Sequence, residues 1–213
     1  MSALPWDRVR GRGHQAVLLI RHGRTAYNDQ RRFLGVTDLA LDAEGERQAA
    51  GLSARLPRPD AVYTSPLRRA MQSALALAPP VPVPVPALRE LDHGALEGLD
   101  VPTATARYPA FFAAWNEDPR DVIPPGSAET LGTLQHGALE ALQDRLSGNP
   151  DTLVACVTHQ LVIAALSCAA ASETLISWRR YTIPNVGITV LGWDGSALAL
   201  EEVACSGTVT GPA

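Results

Sequence analysis

Four short stretches of this 213-residue chain place polar, chemically capable groups where an apolar run stops or a helix begins. Arg21 and His22 follow "AVLLI" (16–20). Arg68 and Arg69 open the run "RRAMQSALAL". Glu90 follows a proline-rich tract, and His159 follows "TLVACV". Taken singly, each has an ordinary reading as a solvated arginine, a surface glutamate or a structural histidine. Taken together, two histidines, paired arginines and a carboxylate suit phosphoryl transfer without a metal. A neutral imidazole can attack phosphorus. Guanidinium groups clamp the non-bridging oxygens and offset their charge. A carboxylic acid can protonate a leaving alkoxide and then act as base toward water. Arginines at a helix N-terminus oppose the helix dipole, and they make sense there beside an anion. No HxH, HExxH or short acidic cluster occurs, so no metal ligands are assigned.

Composition narrows the classes further. All 18 basic residues are arginine, which removes Schiff-base, P-loop and kinase-type lysine chemistry. A net charge of −4 does not suit phosphate-neutralising nucleic-acid binding. Cys156, Cys168 and Cys205 form neither a CxxC nor a zinc spacing, which fits a reducing, cytoplasmic location. The run between Asp151 and Glu173 carries no formal charge and is long enough to span a bilayer. Thr158, His159 and Gln160 interrupt it, however. The better parse is a buried strand, a turn holding His159, and the Ala-rich helix "LVIAALSCAAA". No membrane partner is expected.

The elements that must position these groups alternate between strand and helix. The strands are 16–20, 61–65 and 152–157, with a terminal hairpin over 186–193 and 198–204. Helices are expected over 41–56, capped by Asp42, and over 65–77, with Ser65 as N-cap and Pro66 first in the helix. A third runs over 127–148, ending near Gly148. "PPVPVPVP" (79–86) reads as an extended connector or an edge strand. Residues 99–125 read as irregular, with Tyr108, Phe111, Phe112 and Trp115 clustered among them. The fold class is α/β, a mostly parallel sheet covered on both faces. In domain terms, 1–15 is a loose N-terminal arm, 16–205 a single domain with a cap segment at about 99–130, and 206–213 a tail.

"RHGRTAYN", "SPLRRAMQSA", "LRELDHG" and "VTH" occur in that order, and the ordered set resembles the histidine phosphatase (phosphoglycerate-mutase-like) superfamily over roughly 16–193. The resemblance implies a three-layer α/β/α sandwich and a phosphoric monoester hydrolase that needs no cofactor. It implies that His22 is the nucleophile that becomes a phosphohistidine, that Arg21, Arg69 and His159 bind the phosphate, and that Glu90 is the proton donor. Asn28 is similar to the family's polar residue in the phosphate pocket. Leu34 and Gly35 are expected on the substrate side.

Some positions depart from the family pattern. Arg24 stands where "RHGE" is more usual and would add positive charge near the pocket mouth. Gln160 replaces a glycine, so an ordinary negative φ is expected there, with its side chain either inert or in contact with substrate. Glu129, in "PPGSAET", is a further candidate for the site. The interval between Glu90 and His159 resembles the short phosphatase branch rather than the glycolytic mutases, and Leu34 stands where those mutases place a polar substrate-holding residue. The aromatic residues at 108–115 suit either an apolar lid or the core of a cap. The leading expectation is a metal-independent phosphomonoesterase acting on a small phosphorylated metabolite. A mutase of the same fold and a non-catalytic phosphate or phosphoprotein binder are the alternatives. Sugar phosphates, phosphoglycerate, a cobalamin-precursor phosphate and phosphoprotein are all compatible substrates. A homodimer would be the commonest oligomer.

Overall fold

The computed structural model describes residues 3–149 and 152–204. In chain order the elements are α1 (Pro5–Gly11), β1 (Gln15–Arg21), α2 (Ala26–Asp29), α3 (Ala43–Ala50), α4 (Leu52–Arg55), β2 (Ala61–Thr64) and α5 (Arg68–Leu75). There follow β3 (Val83–Pro84), α6 (Val101–Arg107), α7 (Pro109–Glu117), α8 (Leu131–Leu146), β4 (Leu153–Thr158), α9 (Gln160–Ala170), β5 (Ile188–Trp193) and β6 (Leu198–Ala204). The sheet order is β3-β2-β4-β1-β5-β6. β3, β2, β4 and β1 run parallel, while β5 and β6 form the antiparallel hairpin expected at the end of the domain.

Alternation along the central strands divides the core in two. Val17 and Leu19 of β1, with Val154 and Cys156 of β4, point to the face that packs on α8 and α9. Ala16, Leu18 and Ile20, with Leu153, Ala155 and Val157, point to the other face, toward α1, α4 and α5. The result is three layers, helices on both sides of one sheet. No single helix among the described residues is long and apolar enough to cross a membrane.

Several expectations change. The N-terminal segment is not a loose arm: α1 packs Trp6 and Val9 into the second core, leaving them 4% and 0% exposed. Its apolar positions are only two, too few to show helical periodicity, and Pro5 at the first turn was the available signal. The tail 206–213 lies outside the described residues. Asp42 does cap its helix, accepting from the Gly45 N–H, but the helix breaks near Gly51 into α3 and α4. Ser65 does not cap α5, which starts at Arg68 after Leu67. Residues 101–107 and 109–117, expected to be irregular, are helical. Asp100 caps α6 through the Thr103 N–H, and Pro102 and Pro109 occupy first-turn positions in α6 and α7. The third expected helix starts later, at Leu131, behind a Thr130–Thr133 capping box. β3 is a two-residue edge strand beside Tyr63 and Thr64, as the alternate prolines allow.

Candidate active site

Parallel register explains how residues far apart in sequence meet. Arg21, the last residue of β1, lies opposite Thr158, the last of β4. The next residue on each strand is a histidine, and His22 and His159 leave the sheet side by side with ring centroids 5.1 Å apart. The His22 N–H donates to the Thr158 carbonyl at 3.0 Å. β2 adds Ser65 on the other flank of β4, its N–H bonded to Val157 O. Glu90 is brought in by the turn after β3, where the Thr158 hydroxyl donates to Leu88 O at 2.6 Å. All these groups stand at the carboxyl ends of parallel strands, the usual ligand position in open α/β sheets.

His22 is 3% exposed. Its Nδ1 lies 2.7 Å from Gly23 O, a carbonyl that can only accept, so Nδ1 carries the proton and Nε2 holds the lone pair. Burial, with Arg69 and Arg21 nearby, holds its pKa well below the usual imidazole range, so the ring is neutral at pH 7. The backbone around it is pinned. Gly23 N–H donates to Ser73 Oγ, and the Asn185 amide donates to His22 O. A Cβ on Gly45 would stand 2.0 Å from Arg24 O, so the loop after His22 lies directly on the start of α3.

His159 is fully buried, and its Nε2 lies 2.7 Å from Ser65 Oγ. The Leu67 N–H already donates to that oxygen at 3.3 Å. The arrangement that satisfies both has the Ser65 hydroxyl donating to Nε2, leaving the His159 proton on Nδ1. That atom is buried with no partner among the described residues. Three arginine Nε–H groups share this condition, Arg21, Arg69 and Arg55, and the first two stand near His22. Both terminal nitrogens of Arg69 donate to carbonyls, Gly35 O and Thr37 O at 2.6 and 3.0 Å, and Arg21 Nη1 donates to Ile183 O at 2.7 Å. Arg69 is 0% exposed, and burial lowers its pKa to about 10, so it remains charged at neutral pH.

Glu90 is 5% exposed, and its carboxylate accepts from the Leu91 and Leu161 N–H groups at 3.0 and 3.3 Å. Burial raises its pKa against the pull of those bonds and of Arg69 and Arg21. A carboxyl held more acidic-form than usual beside a neutral imidazole is an acid and nucleophile pair.

Arg21, His22, Asn28, Leu34, Glu90 and Gln160 line one cavity of about 210 Å³. Arg69 and His159 lie behind it, coupled electrostatically to His22. Gly35 is not in the lining; its carbonyl anchors Arg69, and a Cβ there would meet Leu91 O at 2.4 Å. Asn28 is held by the Thr25 capping box of α2. Gln160 lies inside α9 and outside the left-handed region, as expected. Its side chain clamps the chain beyond, accepting from Ile183 N–H at 3.0 Å and donating to Tyr181 O at 3.2 Å.

Two expectations fail here. Arg24 adds no free charge at the mouth, because Asp29 and Asp42 pair with it at 2.6 and 2.9 Å. Glu129 does not line the cavity. It grips Arg89 with both oxygens and accepts from Asp92 N–H, which braces the loop that carries Glu90. The sequence reading also missed Ser65 as a partner of His159, and Glu97, whose carboxylate holds Val36 and Thr37 N–H and so fixes the carbonyls that bind Arg69. It missed Phe33 and Trp178 in the wall as well, where Phe111, Phe112 and Trp115 join them but Tyr108 does not.

Known proteins resemble this chain over most of its length. The family model "Histidine phosphatase superfamily (branch 1)" matches residues 17–206. A metal-independent phosphoserine phosphatase of Arabidopsis thaliana is 32% identical over 157 residues, covering 70% of this chain and 66% of that protein. A probable phosphoglycerate mutase, GpmB, of Cronobacter sakazakii is 31% identical over 206 residues, covering 92% of this chain and 96% of that protein. Among solved structures, the mycobacterial glucosyl-3-phosphoglycerate phosphatase in complex with VO3 superposes with a TM-score of 0.80 at 27% identity, covering 90% of this chain and all of that one.

Proposed function

The chain belongs to the histidine phosphatase superfamily, and on that footing we propose that it is a metal-independent phosphomonoesterase that hydrolyses small organic phosphates through a phosphohistidine. The observation that carries this reading is the convergence of three buried, unpartnered N–H groups, Arg21 Nε, Arg69 Nε and His159 Nδ1, around a neutral imidazole. Leaving such donors unpaired is costly, and an anion with several acceptor oxygens satisfies all three. The names of the relatives, a phosphoserine phosphatase and a glucosyl-3-phosphoglycerate phosphatase, support a small phosphorylated substrate. A cavity of about 210 Å³ is at the small end for ligand sites and suits one better than a phosphoprotein segment.

In the first step His22 Nε2 attacks phosphorus and the ester P–O bond breaks. The leaving alkoxide takes the Glu90 carboxyl proton and departs as the alcohol. In the second step water attacks the phosphorus, gives its proton to Glu90, and the P–N bond returns its electron pair to Nε2. Orthophosphate leaves, and Glu90 is again protonated. Arg21, Arg69 and His159 hold the equatorial oxygens throughout.

The test is phosphate release from a monoester panel, with acid-labile, base-stable labelling of the protein trapped from a labelled substrate. His22→Ala is expected to abolish both, and activity within tenfold of wild type would overturn the nucleophile. Turnover is expected to be unchanged by EDTA; inhibition reversed by a divalent ion would require a different mechanism. The similarity to a probable mutase keeps isomerisation of 3-phosphoglycerate, primed with 2,3-bisphosphoglycerate, as the competing assay.

A further inference from the structure

The cavity has two unlike ends. The floor is the ionic cluster described above. The wall above it is built by Phe33, Leu34, Phe111, Phe112, Trp115 and Trp178. The rings contact one another rather than standing apart: Phe111 to Phe112 at 5.0 Å, Phe111 to Trp115 at 5.4 Å, Trp115 to Trp178 at 6.5 Å, and Phe33 to Phe112 at 6.0 Å between centroids. They come from three separate segments, the α2–α3 loop, α7 and the turn after α9, and all of them border one space.

Part of the polar complement beside that wall is spoken for, and Trp178 Nε1 is a buried donor without a partner among the described residues. Gln160 is committed to Tyr181 and Ile183. The Asn28 carbonyl oxygen serves its helix cap. Arg32, at the rim, donates to Gln30 Oε1 and Gly98 O. His93 stands edge-on to Phe33 at 5.5 Å. Among the lining residues the one carboxylate is Glu90, and it belongs to the floor. An ammonium group on the alcohol side of the ester would meet Arg21 and Arg32 and no carboxylate beyond the floor, and a polyol would find one buried donor, Trp178 Nε1, in an otherwise apolar wall. A flat apolar group would gain ring contacts.

Resting on the phosphatase reading, we infer that the preferred substrates are phosphomonoesters whose alcohol carries an aromatic or comparably flat apolar group, against amino-acid or polyol phosphates. The aromatic wall thus sets specificity, while the ionic floor handles a phosphate common to every substrate. Discrimination should be moderate, about tenfold to a hundredfold, since an apolar wall disfavours a polar alcohol through its desolvation alone.

The test compares 2-phenylethyl phosphate with O-phospho-L-serine and glycerol 1-phosphate, using the full chain. All three are primary alkyl esters, so differences in leaving-group chemistry are small. The expected kcat/KM for 2-phenylethyl phosphate is at least tenfold above either of the others. Phe112→Ala and Trp178→Ala should each lower that ratio at least fivefold, and Phe112→Leu, which restores apolar volume, should recover most of it. Inhibition of the wild-type protein provides a readout independent of variant folding: 2-phenylethylphosphonate should inhibit at least tenfold more strongly than 2-aminoethylphosphonate. A ratio of one or below in either assay overturns the inference and leaves the phosphatase reading standing. Failure to release phosphate from any of these esters and from p-nitrophenyl phosphate overturns both.

Discussion

His22 and His159 are chemically alike and adjacent, and their hydrogen bonds give both the Nδ1–H tautomer while leaving opposite ring atoms free. A carbonyl on Nδ1 leaves His22 with a lone pair at Nε2; a hydroxyl on Nε2 leaves His159 with a proton at Nδ1. One imidazole can therefore attack while the other can donate to the phosphate. Ser65 is the positioning residue behind the second role. Ser65→Ala should lower kcat/KM about tenfold, less than the roughly hundredfold or more of a group that transfers the proton itself, because Ser65 acts through His159. It should also alter the pH profile, because His159 would be free to choose its tautomer, and Ser65→Thr should restore both. An unaltered profile in the alanine variant would remove Ser65 from this role. Glu90→Gln offers a second check. Its loss should be at least tenfold greater for an alkyl phosphate than for p-nitrophenyl phosphate, whose phenolate leaves with little protonation. Equal losses would argue against a general acid. The groups proposed to react were legible in the sequence, since Arg21, His22, Arg69, Glu90 and His159 sit beside recognisable strand and helix boundaries. Their supports were not. Ser65, Glu97 and Glu129 act through hydrogen bonds to residues 94, 61 and 40 positions away, a separation no local pattern encodes.

At the scale of elements, legibility followed length and period. β1 and β4 are buried on both faces and read as unbroken apolar runs. α6, α7 and α1 are short, seven to nine residues, and carry few core positions, so periodicity gave them no signal and only their caps and prolines could have done so. α7 nevertheless supplies three of the rings in the cavity wall, and α1 packs against β5 and β6. Arg8 and Arg12 tie α1 to Glu201 and Glu202 on β6, but these are partly exposed pairs, and the helix is held chiefly by Trp6 and Val9. Trp6→Ala should therefore cost about 3 kcal/mol, as for other buried aromatic truncations. The midpoint of urea unfolding should fall with little change in slope. KM should not move, because no residue of α1 lines the cavity. A midpoint unchanged within error would mean that residues 5–11 are as dispensable as a loose arm.

For the whole molecule, the burial that makes the site reactive sets its response to acid. His22 and His159 are held neutral by burial and by the two arginines, well below the unfolded imidazole value, and burial pushes His93 down to about 4. Below about pH 6.5 the unfolded chain takes up these protons and the folded chain does not, so stability is complete above that pH and is lost as pH falls. Each imidazole contributes about 1.4 kcal/mol per pH unit within its window. Glu90 works in the opposite sense. Its raised pKa means that the folded state holds a proton the unfolded state releases above about 4.5, so its contribution is lost as pH rises through the folded value. Three imidazoles outweigh one carboxyl, and the melting temperature should fall steadily from pH 7 to pH 5. His22→Ala removes one of the three. It should be inactive at every pH, yet its melting temperature should fall less over the same interval, because one fewer buried base must be protonated on unfolding. If the wild-type melting temperature is flat from pH 7 to pH 5, or if His22→Ala follows the wild-type slope, the imidazole is not held neutral by the fold. The account of His22 as a nucleophile kept ready by burial would then fail with it.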